Sequence, residues 1–72
     1  MQRQAVESSN IASIGYDEGA EILEVEYKGK AGSSVYQYFQ VPVSVYQGLM
    51  AAGSKGEYLG AHVKGVYSYV KI

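Results

Sequence analysis

One segment of the chain alternates apolar and charged side chains without a break, and it constrains the fold more than any other feature. Along residues 21–28 three apolar side chains share one side and three charged ones the other: Leu23, Val25 and Tyr27 against Glu24, Glu26 and Lys28. Because successive side chains of a strand point to opposite faces, this pattern predicts a half-buried strand of an antiparallel sheet. Its acidic side is expected to face solvent.

Two further strands are predicted on either side of this segment. Residues 11–16 read as the strand before it, joined by a short turn at Asp17–Ala20, where Gly19 is free to take a positive φ. Residues 34–41 form the strand after it, with Tyr36 and Tyr38 on one face and mainly apolar residues on the other. That strand is therefore either central with both faces covered, or it exposes one face as a binding or oligomer surface.

The second half of the chain predicts two helices. Pro42 ends the third strand and suits the first turn of a helix, which Gly53 ends. An apolar stripe at helical spacing lies between them: Val45, Tyr46, Leu49 and Met50. Ser54 and Glu57 then have the spacing of a capping box, which begins a second helix that ends near Gly65. Residues 66–72 are predicted to be extended.

These elements predict an α+β fold with a small antiparallel sheet of three to four strands and two short helices. The order is β-β-β-α-α followed by a terminal strand or tail, with residues 1–9 as an N-terminal arm and 10–72 as a single domain. A chain of 72 residues without cysteine has a thin core and no disulfides. His62 is the only histidine, so a Cys/His metal cluster is excluded. Homo-oligomerisation is the expected additional source of stability.

Several blocks of the chain, in this order, resemble the KTSC domain family. The blocks are Ser8–Ile11 with Ile14–Tyr16, Val35–Pro42, Ser54–Tyr58, and His62–Val63 before Tyr67. The family is named for a module at the C-terminus of some lysyl-tRNA synthetases, and it includes stand-alone bacterial and phage proteins. The resemblance covers nearly the whole chain. It implies one small domain with a suggested RNA-binding role, and it provides no catalytic residue.

Tyrosine is unusually frequent, with eight residues that include two Tyr-x-Tyr pairs. A tyrosine ring packs or stacks while its hydroxyl still needs a hydrogen-bond partner, so these side chains suit a flat, polar ligand or a protein surface. The turn at Ser54–Gly56 is a candidate phosphate anchor, because a helix start offers free N–H groups and Lys55 adds a charge. The predicted ligand-binding residues are Tyr36, Tyr38, Ser54, Lys55, Gly56, Tyr58, His62, Lys64, Tyr67 and Tyr69.

No complete catalytic arrangement is present, so the chain is predicted not to be an enzyme and to need no cofactor or metal. A non-enzymatic module that binds, and sequesters, a small signalling nucleotide is the preferred function. An RNA- or tRNA-binding accessory domain and a protein–protein interaction module are the alternatives. Five lysines and one arginine are few for a long polyanion. Without an apolar leader or membrane span, the chain is expected in the cytoplasm of a bacterium or of a phage-infected cell.

The charges are divided unevenly along the chain. Residues 1–26 carry six acidic side chains against Arg3, and residues 27–72 carry five lysines against Glu57. Such a division can mark a basic surface that faces a partner. The preferred interpretation is that the two halves neutralise each other across one small sheet.

Overall fold

A computed structural model describes residues 1–72, which form five strands and two helices. The elements in chain order are β1 (Gln4–Ala5), β2 (Ile11–Asp17), β3 (Ile22–Tyr27), β4 (Ser34–Tyr38), α1 (Val43–Ala51), α2 (Lys55–His62) and β5 (Tyr69–Lys71). The α+β class and the two helices are confirmed. The expected count of three to four strands is wrong, because the N-terminal arm supplies the short strand β1 and the C-terminal segment supplies β5.

The strands form one antiparallel sheet in the order β1-β2-β3-β4-β5. Cross-strand pairs set its two faces: Ile14, Val25 and Tyr36 lie in one row, and Leu23 lies beside Tyr38 in the next. Both helices cover this face. The core consists of nine buried residues: Ile11, Ile14, Leu23, Val25, Tyr38, Val41, Leu49, Leu59 and Val63.

The helices begin and end close to the predicted positions. Pro42 is the N-cap of α1, and Leu49 of the predicted apolar stripe is fully buried. At the start of α2 the Ser54 hydroxyl accepts a hydrogen bond from the Glu57 N–H at 3.3 Å. The reciprocal bond of a full capping box, from the Ser54 N–H to the Glu57 carboxylate, is not formed.

Two turns differ from the sequence prediction in where the left-handed backbone lies. In the β2–β3 turn the positive φ belongs to Glu21 at 56°, not to Gly19. The Asp17 carboxylate accepts a hydrogen bond from the Ala20 N–H, and this bond closes the turn. The left-handed residue is therefore Glu21, at the end of the turn. Gln40, with φ of 57°, ends β4 three residues earlier than expected and directs the chain into α1.

The face of the sheet away from the helices is not the simple solvated surface that the alternation predicts. Glu24 on that face is only 3% exposed. It forms an ion pair with Arg3 and accepts a hydrogen bond from the Gln37 amide at 2.8 Å. The N-terminal residues lie over Gly15, whose missing side chain leaves room for the Gln2 carbonyl. Because the arm folds back onto the sheet, the expectation of a solvent-facing Glu24 is wrong.

The acidic and basic parts of the chain do not neutralise each other by direct contact. Arg3 and Glu24 form the single ion pair, and none of the five lysines is within ion-pair distance of a carboxylate. No helix is long and apolar enough to cross a membrane.

Candidate functional site

A pocket of about 550 Å³ opens where β3, β4 and β5 meet the end of α2. It lies on the helix-covered face of the sheet, beyond the last turn of α2. Its walls are Tyr27, Ser34, Tyr36, Tyr38, Lys64, Gly65 and Tyr69. Four tyrosines and one lysine therefore surround a single concave site.

The tyrosine rings are held by the register of the three strands. Tyr36 lies opposite Val25 in the β3–β4 pair, and Tyr38 lies opposite Tyr69 in the β4–β5 pair. The Tyr69 ring lies 5.6 Å from Tyr36 and 5.9 Å from Tyr38, tilted by 48° and 44°. The Tyr27 and Tyr36 rings meet edge to face at 5.5 Å. These contacts fix the orientation of the walls, since aromatic pairs prefer such tilted and edge-on arrangements.

Two of the lining tyrosines, Tyr27 and Tyr38, are joined through their hydroxyl groups. The Tyr27 and Tyr38 hydroxyls are 2.8 Å apart and share one hydrogen bond. Two hydroxyls bring two protons, so one O–H of the pair remains able to donate to a ligand. Burial, together with the bond to Tyr38, raises the pKa of Tyr27 far above its ordinary value. Burial also raises the pKa of Tyr38, although the bond from Tyr27 opposes it. Both hydroxyls therefore stay protonated through physiological pH.

Lys64 brings a positive charge to the edge of the pocket. Its ammonium nitrogen lies 4.9 Å from the centre of the Tyr27 ring, a cation–π contact. The end of α2 sets this position, because the Lys64 N–H still bonds to the Leu59 carbonyl and Gly65 takes a left-handed φ of 76°. A helix C-terminus carries partial negative charge, so Lys64 is the only positive charge in the pocket lining.

The structure brings four of the ten predicted binding residues into this pocket and leaves six outside it. Those inside are Tyr36, Tyr38, Lys64 and Tyr69. Ser54, Lys55 and Gly56 begin α2, whereas the pocket lies past its end. The helix of eight residues spans about 12 Å at 1.5 Å per residue, which separates its start from the pocket by that length. The Lys55 ammonium donates to the Ala52 carbonyl at 3.3 Å and is turned back towards α1.

The remaining predicted residues have other contacts. Tyr58 and His62 lie against each other on α2, with ring centres 4.5 Å apart, and Tyr58 also packs over Gly48 of α1. Tyr67 is half-buried against the core. None of these three side chains lines the pocket.

Sequence reasoning missed three residues of the pocket: Tyr27, Ser34 and Gly65. The strand alternation places Tyr27 on the same face as Leu23 and Val25, and for that reason it reads as a core residue. Its position beside Ser34 follows only from the β3–β4 register. With the register known, Tyr27, Tyr36 and Tyr38 become neighbours on one face.

The pocket provides a defined set of interactions. It offers ring faces for stacking, one spare O–H donor and one cation. No group of three or more His, Cys, Asp or Glu side chains is placed to hold a metal ion. The arrangement suits a ligand with a flat ring and a negative charge.

Fold and pocket together define a small α+β domain that carries an aromatic pocket at one end of its sheet. The chain belongs to the KTSC domain family, whose family model matches residues 7–67. The crystal structure of a KTSC domain protein from Yersinia pestis superposes with a TM-score of 0.89 at 42% identity, over 99% of this chain and 96% of that one. The resemblance noted in the sequence is thus confirmed.

Relatives include both small proteins and a much larger one. A protein of Stutzerimonas stutzeri is 43% identical over 58 residues, which are 81% of this chain and 78% of that protein. A lysine–tRNA ligase of Nostoc punctiforme is 33% identical over 66 residues, which are 92% of this chain. The chain spans 11% of that ligase.

Proposed function

We propose that this chain is a non-enzymatic binding domain for a small nucleotide, held in the tyrosine pocket at the end of α2. The observation that carries the proposal is the combination of four tyrosine walls with Lys64 at the rim. A protein that binds a ligand without transforming it can act by sequestering it. A signalling nucleotide in the bacterial cytoplasm is the proposed ligand class, and a homo-oligomer is the proposed binding form.

The size and lining of the pocket support a single nucleotide. Its volume of about 550 Å³ falls within the range of roughly 300–1,000 Å³ that is usual for small-molecule sites. Stacking of a base on an aromatic ring contributes about 1–3 kcal/mol to binding, and every base can stack in this way. Tyr69 is 58% exposed and its ring is open on one side, so it is the wall best placed to receive a base.

Polar groups in the pocket match the other parts of a nucleotide. The Tyr27–Tyr38 hydroxyl pair offers a neutral donor to a base edge or a ribose hydroxyl. Lys64 offers its ammonium to a phosphate, and its contact with Tyr27 holds it over the pocket rather than in open solvent. A single cation suits one phosphate group better than a long polyanion, which draws its affinity from many cations.

RNA binding is the second candidate, because lysine–tRNA ligases are among the relatives. In that case the same pocket would hold one unstacked nucleotide of a single strand. Recognition of splayed-out bases on aromatic side chains is the usual way in which proteins read single-stranded RNA.

Calorimetry with a panel of 5′-mononucleotides and the matching nucleosides tests the proposal. We expect Lys64→Glu to weaken mononucleotide binding by ten-fold or more, about 1.4 kcal/mol, and to change nucleoside binding much less. Lys55→Glu is the matched control, since it makes the same charge change at the other end of α2 and adds an acidic residue where the helix dipole favours one. Circular dichroism checks that both variants fold.

The results have distinct meanings. A larger loss from Lys55→Glu than from Lys64→Glu would move the phosphate site to the start of α2. Wild-type protein that binds no nucleotide, nucleoside or RNA would overturn the proposal and leave a protein-interaction module.

A further inference from the structure

The last seven residues carry most of the exposed large apolar side chains of the molecule. Four of the five are there: Val66 at 61% exposure, Tyr69 at 58%, Val70 at 46% and Ile72 at 63%. Three of these lie in or next to β5, which is an edge of the sheet with no strand on its outer side. An apolar edge strand left open in this way is a template for pairing with another strand.

The backbone of β5 has hydrogen-bonding groups that point away from the sheet. The Ser68 carbonyl accepts from the Phe39 N–H at 2.9 Å, and the Ile72 N–H donates to the Val35 carbonyl at 2.8 Å. The backbone N–H and C=O groups of the even-numbered residues in this segment therefore point towards β4. Since the pattern has a period of two, the N–H and C=O groups of Tyr69 and Lys71 face outwards.

We propose that β5 pairs antiparallel with β5 of a second copy of the chain, about a two-fold axis at Val70. In this register Tyr69 lies opposite Lys71 of the partner subunit, and the two exchange both backbone hydrogen bonds. The two-fold axis generates a second, equivalent residue pair on its other side, so four backbone hydrogen bonds join the two chains. All the outward-facing groups of β5 are then satisfied, and the two sheets become one.

The same register suits the side chains on both faces. Val70 lies on the face away from the helices, as its cross-strand neighbour Gln37 does, and it meets its own symmetry copy there. Lys71 pairs with Tyr36 across β4–β5, so it lies on the pocket face. The two-fold axis places each Lys71 beside a tyrosine of the other chain rather than beside another lysine. Like charges are thus kept out of direct opposition.

Pairing would complete the nucleotide pocket, and this part rests on the proposed function. Side chains directly opposite each other in an antiparallel pair have Cβ atoms about 4.5–5.5 Å apart. Lys71 of the partner subunit therefore reaches the rim of the pocket at Tyr69, across from Lys64. The second subunit supplies the second cation for a phosphate, and it covers the open edge of the Tyr69 ring.

Cysteine crosslinking tests the pairing without reference to any ligand. The chain has no cysteine, so one introduced thiol reports one contact. Residue 70 faces its copy at a Cα separation of about 4.5 Å, which is within the disulfide range of roughly 4.4–6.8 Å. We expect oxidised Val70→Cys protein to form a covalent dimer.

Ile72→Cys is the matched control on the same face. Two residues further along each strand, its copies lie about 14 Å apart at 3.4 Å per residue, too far for a disulfide. Light scattering should give the wild-type protein twice the 7.8 kDa of one chain. A monomeric wild type at tens of micromolar, or equal crosslinking of both variants, would overturn the proposed pairing.

Mixed dimers test whether Lys71 acts on the pocket of the other chain, with 5′-AMP and 5′-GMP as probes. Lys71→Ala and Lys64→Glu chains are each expected to bind at least about ten-fold more weakly than the wild type. When the two chains are mixed, the Lys71→Ala chain keeps its Lys64 and receives Lys71 from the Lys64→Glu partner. Wild-type affinity should therefore return in one site of each mixed dimer.

The outcomes separate the two proposals. If Lys71 acted within its own chain, no site of a mixed dimer would be intact and mixing would restore nothing. Unchanged affinity in Lys71→Ala alone would also exclude this role for Lys71. If the wild type binds neither probe nor any other mononucleotide, the proposed function fails, and the crosslink then decides the strand pairing by itself.

Discussion

At the scale of single residues, the charged cluster around Glu24 links the N-terminal arm to the sheet. Burial alone would raise the pKa of Glu24. Hydrogen bonds from Gln37 and Arg3, together with the Arg3 charge, outweigh burial and hold the pKa of Glu24 below the ordinary glutamate value of 4.5. A lowered folded-state pKa adds stability above that ordinary value, and this stability is lost as the pH falls through the lowered one.

Glu24→Gln should therefore lower stability at pH 7 and remove part of the sensitivity to acid. Loss of the charged contacts is expected to cost about 1–3 kcal/mol at neutral pH. Each kcal/mol corresponds to roughly 4–8 °C in Tm for a domain of this size. The gap in Tm between wild type and variant should narrow as the pH falls from 7 to about 3.

Thermal unfolding followed by circular dichroism at several pH values measures this gap. Glu18→Gln is the matched control, because Glu18 is an exposed residue of the β2–β3 turn without an ion pair. Its Tm should follow that of the wild type throughout. A Glu24→Gln gap of constant size at every pH would show that the carboxylate charge does not stabilise the fold.

At the scale of elements, one glycine sets the contact between the two helices. Gly48 in α1 lies under the Tyr58 side chain of α2, and a Cβ there would meet the Tyr58 hydroxyl as well as its ring Cζ at 2.9 Å. Gly60 in α2 has nothing within 4 Å of the same position. The two glycines are thus alike in helix propensity and different in the space around them.

We expect Gly48→Ala to destabilise the protein and Gly60→Ala to stabilise it. Alanine gains up to about 1 kcal/mol over glycine in a helix interior. Overpacking against Tyr58 costs about 1–3 kcal/mol and outweighs that gain at position 48 only. In a Tyr58→Ala background the clash is gone, so Gly48→Ala should become stabilising. Denaturant unfolding of the wild type, Gly48→Ala, Tyr58→Ala and the double variant gives the coupling free energy between positions 48 and 58. Equal effects of Gly48→Ala and Gly60→Ala on the stability of the wild type would contradict the proposed clash.

At the scale of the whole molecule, acidic and basic residues that are grouped along the sequence also lie apart in space. The acidic turn with Asp17, Glu18 and Glu21 lies at one end of β3, and Lys28 and Lys30 follow its other end. Six residues of strand place about 20 Å between these ends. Lys64, the one lysine that lines the pocket, has no carboxylate partner and favours an anionic ligand there.

This charge distribution predicts a modest response of ligand binding to salt. Each phosphate contact to a single strand adds about −0.7 to the slope of log K against log[salt], so one or two lysines give a slope of magnitude below about 1.5. We expect that slope for a mononucleotide and no gain in affinity for an oligonucleotide of about 12 nucleotides. Fluorescence or calorimetric titrations between about 50 and 200 mM salt measure both quantities. A steep slope with a clear gain from length would instead favour the RNA-binding candidate.

Local patterns of the sequence determined the class of fold and most element positions. The alternation in residues 21–28 predicts β3, Pro42 marks the start of α1, and Ser54 marks the start of α2, because each signal acts within a few residues. The ordered blocks around the Tyr-x-Tyr pair also identified the family.

Only the tertiary structure decided which tyrosines meet and what becomes of Glu24. The register of β3, β4 and β5 places Tyr36 between Tyr27 and Tyr69, and the fold-back of the N-terminal arm buries Glu24 under Arg3. The phosphate anchor predicted at Lys55 and the tyrosines predicted at Tyr36 and Tyr69 lie at opposite ends of one helix. Contacts of this kind join residues far apart in the chain, and they depend on strand register and helix direction, which no local pattern specifies.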